Sequence, residues 1–209
     1  MLRKVLIVLG VVVVVLVVVI ATRPSNYRVE RSTRIAAPPD VVFGLVNDFH
    51  AWDRWSPWAK LDPGMKSTFG GPPAGQGATY AWSGNDKVGE GNMRITESKP
   101  AQRVGIRLEF LKPMHGVAQN DFTFKPEGGG TQVNWAMSGT NDFVGKAFAL
   151  FADMDAMIGK DFEKGLASMR TEAEAEAKRR AAAATMTSAT PPPAPAPAPT
   201  SPEPAAPAK

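Results

Sequence analysis

Arg103-Val104-Gly105-Ile106-Arg107-Leu108-Glu109-Phe110 alternates without a break, with aliphatic or aromatic side chains at the even positions and arginine, glycine or glutamate at the odd ones. Successive side chains of a strand point to opposite faces, so this stretch is a strand with one apolar and one solvated face. Strands of that kind build antiparallel sheets that cover a core on one side. The same two-residue period runs through residues 78–82, 89–97, 116–124 and 131–138. Between them lie Ser83-Gly84-Asn85-Asp86, Lys99-Pro100, Lys112-Pro113 and Glu127-Gly128-Gly129-Gly130, the chemistry of hairpin turns. A meander is the simplest topology.

Moving outward toward the N-terminus, residues 70–77 (GGPPAGQG) are turn chemistry throughout. No Lys-Ser/Thr pair follows them, so they are not a phosphate loop. Residues 49–61 carry Trp52, Trp55 and Trp58; in a short helix the first two share a face, and Pro57 redirects the third. Before them, Pro38-Pro39-Asp40 opens a helix whose apolar stripe is Val41, Val42, Leu45 and Val46. Residues 27–35 alternate β-branched and charged side chains and read as a further strand. Toward the C-terminus, Asn141-Asp142 offers a cap. Ala147, Leu150, Phe151, Met154, Met157, Ile158, Phe162, Leu166 and Met169 then recur at three- and four-residue steps. That spacing predicts one long amphipathic helix over 143–179, whose charged end, 172–180, projects into solvent. The order is α+β: a curved antiparallel sheet wrapped around a long C-terminal helix, a helix-grip arrangement.

Several of these residues carry a family resemblance. Arg31-Ser32, Ile35-Ala36-Ala37-Pro38-Pro39, Val42-Phe43, the run from Trp52 to Trp58, Gly89-Glu90-Gly91, and the run from Met154 to Leu166 resemble the polyketide cyclase/dehydrase and lipid-transport group of the START-like SRPBCC superfamily, over residues 27–175. The tryptophan cluster and the Met-Asp helix segment point to a subgroup with an N-terminal anchor. The resemblance implies a helix-grip fold around a deep apolar cavity that binds hydrophobic small molecules, with only some members catalysing cyclisation or dehydration. It supplies no fixed catalytic set, so no catalytic residue is carried over.

The flanks differ in composition. Residues 5–21 hold no charge and ten valines, directly after Arg3 and Lys4. In lipid an unpaired backbone amide costs several kcal/mol, so such a run must be helical despite the mediocre helix propensity of valine. It is longer than the roughly 7–15 apolar residues of a cleaved signal and reads as a transmembrane helix, single-pass, that ties the chain to a membrane. Arg23, Arg28, Arg31 and Arg34 on its far side outnumber the cations before it, which by count places the domain in the cytoplasm. A short N-terminal tail ahead of a first hydrophobic segment is commonly retained inside, which places the domain outside; that orientation is the one adopted. From about Thr185 the chain turns into Pro, Ala, Ser and Thr, with nine prolines among the last nineteen residues. A disordered, polyproline-like tail is expected, able to contact a protein or wall component. The division is 1–26 anchor and linker, 27–180 folded domain, 181–209 tail.

The net charge of +4 is small and its cations are scattered, which argues against nucleic acid as a partner. There is no cysteine, and the histidines, His50 and His115, stand apart, so no metal-ligand spacing and no cofactor motif is present. Arg94 and Arg107 are out of phase with the apolar positions and face solvent. The candidates for contact with a ligand are the flat or adaptable side chains at inward positions: Trp55, Trp58, Trp82, Phe110, Phe122, Trp135, Met137, Met154 and Met157, with Asp155 as the carboxylate best placed to meet a pocket. Together they suggest a membrane-anchored carrier of a lipid, isoprenoid or polyketide-like molecule, held without chemistry. The rivals are a cyclase or dehydratase working through a polar group such as Asp155 or His115, and a structural envelope module that binds nothing.

Overall fold

A computed structural model describes residues 1–150 and 153–188. Seven strands form one antiparallel sheet: β1 (Asn26–Ile35), β2 (Lys66–Gly70), β3 (Thr79–Ser83), β4 (Glu90–Lys99), β5 (Arg103–Lys112), β6 (Gly116–Glu127) and β7 (Gly130–Thr140). Their order is β1-β7-β6-β5-β4-β3-β2, a meander from β2 to β7 with β1 added beside β7. The alternation in β5 sets the register at the centre. Ile106 pairs with Ile95 on one side and Asn120 on the other, and Leu108 with Met93 and Ala118, so the apolar face is continuous across three strands. Val104, Ile106 and Ile95 are fully buried, while Arg94 and Arg107 lie opposite each other on the solvated face.

Among the described residues four helices complete the order: α1 (Leu2–Thr22), α2 (Pro39–Asn47), α3 (Phe143–Phe148) and α4 (Met154–Ser188), with a 3-10 turn at Phe49–Arg54. α2 begins with a proline in its first turn, where the missing N–H costs nothing, and buries Val41, Val42, Leu45 and Val46. α4 lies against β1, α2 and the 3-10 turn, so the sheet grips it at one side. α1 is long and apolar enough to cross a membrane; nearly all of it is exposed, and a signal sequence would have the same length and composition.

Three features depart from the sequence reading. β2 was not anticipated, because Lys66-Ser67-Thr68-Phe69-Gly70 is exposed at every position and shows no apolar period; pairing with β3 makes it a strand. The single helix over 143–179 is two helices. Asp153 accepts the amide of Ala156 at 2.9 Å and so starts α4 afresh, while Asp142 caps α3 through the amide of Gly145 at 2.7 Å. The charged end of α4 does not leave the domain at 172: Ala173 is fully buried, Glu174 accepts the amide of Ala36, and Arg180 pairs with Asp40 at 3.0 Å. The helix continues to Ser188, past the boundary set at 180; the rest of the expected Pro-rich tail lies outside the described residues.

Candidate functional site

Most of the aromatic side chains singled out in the sequence meet in one place. Trp135 of β7 stacks on Phe162 of α4 with ring centroids 3.8 Å apart, and on Phe122 of β6 at 4.9 Å. Trp55 meets Phe122 and Trp135 edge-on at 6.1 and 5.6 Å. Trp58, half-buried, closes against Trp135 and Phe162 from the side. Stacked and edge-to-face pairs are what ring quadrupoles favour. The indole N–H groups are satisfied from within: Trp52 donates to the Val46 carbonyl, Trp55 to the Leu45 carbonyl at 2.8 Å, and Trp135 to Asn120 Oδ1 at 3.2 Å. Here the space between sheet and helix, which the sequence reading left open for a guest, is filled by the rings themselves, since stacking at 3.8 Å admits nothing between Trp135 and Phe162. Met137, buried, continues the same face of β7 from Trp135 toward Gly139.

The first turn of α4 divides the remaining candidates. Asp155 faces the surface, where both its oxygens accept from the Arg31 guanidinium at 3.1 and 2.9 Å, and Glu163 accepts from Arg31 Nε at 3.0 Å. The guanidinium holds the Asp155 carboxyl below its ordinary range. Gly159 makes this possible, since a Cβ there would collide with Arg31. Met157 is 55% exposed and turned away from the sheet, one helical step from Ile158, which packs on the core. Neither side chain points inward as the sequence reading had it. Met154 does face a pocket.

That pocket, of about 560 Å³, opens where three elements converge: Arg23, Asn26 and Tyr27 after α1, Lys146 and Leu150 at α3, and Asp153 and Met154 at the start of α4. Tyr27 lines it, and burial pushes its phenol above the ordinary value. The ring lies across Gly139, its register partner on β7; a Cβ there would come within 2.6 Å of the Tyr27 hydroxyl, so only glycine lets the ring lie flat. From Tyr27 the inner face of the sheet leads over Val29 and Met137 to Trp135. The polar groups around the mouth already have structural work. Asp153 caps α4, and Lys146 Nζ reaches the Ala21 carbonyl at 3.4 Å. Sequence reasoning did not find this pocket, because its walls come from two stretches, 23–27 and 141–154, that are far apart in the chain and that only folding unites.

Trp82 and Phe110 lie elsewhere, in a half-buried strip at the far edge of the inner face. Phe69, Tyr80, Trp82 and Phe110 follow one another at 5.2, 5.9 and 6.3 Å, with the Trp82 N–H donating to the Val88 carbonyl. Behind that edge, a second pocket of about 390 Å³ on the solvated side is bordered by Thr79, Asn92, Arg94 and Arg107. His50 is exposed, bonded to Asp48 and stacked on Phe69; His115, also exposed, meets Glu109 at 3.1 Å. Among the described residues no three His, Cys, Asp or Glu side chains come together.

Comparison with known proteins fits this geometry. Residues 27–174 match the model of the family described as polyketide cyclase / dehydrase and lipid transport. Among solved structures, a protein of Chromobacterium violaceum aligns at 18% identity and TM-score 0.52, over 73% of this chain and 99% of that one. A Rhizobium leguminosarum protein aligns at 15% and 0.54, over 73% and 97%. The Aha1 dimer of Colwellia psychrerythraea aligns at 16% and 0.51, over 71% and 96%. At these identities the likeness is one of fold. No curated protein matches the chain.

Proposed function

Since the chain belongs to the polyketide cyclase / dehydrase and lipid transport family, we propose that it is a membrane-tethered binding protein for a hydrophobic small molecule such as a lipid, isoprenoid or polyketide-like compound. The observation that carries this reading is the pocket of about 560 Å³ between the end of α1 and the α3–α4 break. Its lining combines apolar side chains, Leu150 and Met154 with the Tyr27 ring, and two cations, Arg23 and Lys146. An amphiphile fits such a site: its apolar part packs against Tyr27, Leu150 and Met154, and its polar end stays beside Arg23 and Lys146. Burial contributes about 25 cal/mol per Å² of apolar surface before ordering costs. In this reading α1 is retained as the tether, the domain faces away from the cytoplasm, and the residues after 188 serve contacts outside the binding unit.

Binding without chemistry is preferred over catalysis because, of the three charged groups that line the pocket, Asp153 is engaged in capping α4 and Lys146 in bonding the end of α1, while Arg23 is a guanidinium that stays protonated. Titration of a dansyl-labelled long-chain acid into the full chain in nanodiscs tests the proposal. Saturable binding above that of empty nanodiscs is expected, with loss of that excess in Ala149→Trp, whose new ring enters the pocket from an exposed position. Equal uptake by empty nanodiscs and by the protein would refute it.

A further inference from the structure

α3 shows its apolar side to the outside. On a helical wheel Phe143, Ala147, Val144 and Phe148 form one continuous arc, and within it Phe143, Val144 and Phe148 are 49%, 60% and 45% exposed. The other side, with Gly145 and Lys146, faces the protein: α3 packs against α1, and Lys146 Nζ bonds to the Ala21 carbonyl. An amphipathic helix beside water has the reverse arrangement. A compact apolar patch left open marks a surface that something else covers.

The position of α3 identifies what covers it. α3 lies beside the last turn of α1, where Ile20 is the one buried residue of that helix. With about 1.5 Å per residue, the twenty-one residues of α1 span about 31 Å, the thickness of a hydrocarbon core. The end of α1 therefore falls at the headgroup boundary, and α3 with it. Arg23 follows the last turn of α1 directly, a cation of the kind that marks the headgroup side of a membrane segment. We infer that α3 is an interfacial helix, which inserts Phe143, Val144 and Phe148 into the bilayer surface beside the anchor. It thereby holds the pocket mouth, to which α3 contributes Lys146, against the lipid. The inference rests on the reading of α1 as a retained anchor.

The chain contains no cysteine, so single spin labels can be placed without altering the background. Labels at Val144→Cys, at Val13→Cys in mid-anchor and at Ala167→Cys on the exposed side of α4 would be compared in the full chain reconstituted in phosphatidylcholine/phosphatidylglycerol vesicles. The readout is the ratio of collisions with oxygen to collisions with a water-soluble nickel chelate. The expected order is Val13 highest, Val144 intermediate and Ala167 lowest. A Val144 ratio equal to that of Ala167, with Val13 still high, overturns the interfacial placement and leaves the anchor standing. Low ratios at both Val13 and Val144 overturn the anchor, and the placement with it. Spin–spin broadening between Val144 labels would put a second copy of the chain on the patch and overturn the lipid contact.

Discussion

Arg31 joins two elements that no local pattern connects. It reaches from β1 to Asp155 and Glu163 on α4, and Asp155 answers with a carboxyl held below its ordinary value of 3.8. A group whose folded pKa is depressed contributes stability above its unfolded pKa and loses it as pH falls through the folded value. Asp155→Asn is accordingly expected to be less stable than the parent at neutral pH, with the two converging well below pH 3.8, as followed by denaturant unfolding across pH. Gly159→Ala should mimic the neutral-pH loss, because its methyl displaces the guanidinium. Phe162, fully buried against Trp135, belongs to a different class: Phe162→Ala should cost about 3–5 kcal/mol in the same assay. These contacts differ in how far the sequence announced them. Phe162 was readable from its place in the helix stripe; the outward turn of Met157 was not, because it stands at the margin of that stripe one residue before Ile158, and Asp155 is held by Arg31 of β1, a partner that no local pattern reveals.

Strands and helices were legible in proportion to how strongly burial imposes a period. β3 to β7 announce themselves because each puts one face on the core and one in water, and the buried stripe of α2 is visible for the same reason. β2 was silent, since an edge strand that buries nothing has no period to show. The end of α4 was misread because alanine is a weak apolar signal, yet Ala173 and Ala177 let the helix lie close against its neighbours. The α3–α4 break was hidden by apolar residues that continue through it, while the signal that mattered was a cap. If Asp153 does start α4, Asp153→Ala should lower stability by about 1 kcal/mol in chemical denaturation, and Asp153→Ser should restore most of it. Equal stability of the two variants would mean that the cap contributes nothing.

For the whole molecule, the fold follows from the pattern and agrees with the family match, whereas the location of the site does not follow from either. The aromatic residues that suggested a hollow form a stacked core, because large rings in mutual reach gain more from each other than from an empty space between them. The pocket instead lies at the end nearest α1, so tether and binding unit share a wall. Binding located there should not depend on the C-terminal segment: removal of residues 189–209 is expected to leave the affinity for the dansyl probe unchanged, whereas a large loss would favour a role for that segment in the site. The most direct test of the central claim is native mass spectrometry of the full chain released from mild detergent. The account predicts a bound hydrophobic molecule at one per chain, absent from Ala149→Trp; bare parent chain, or the same adduct on both proteins, would contradict it.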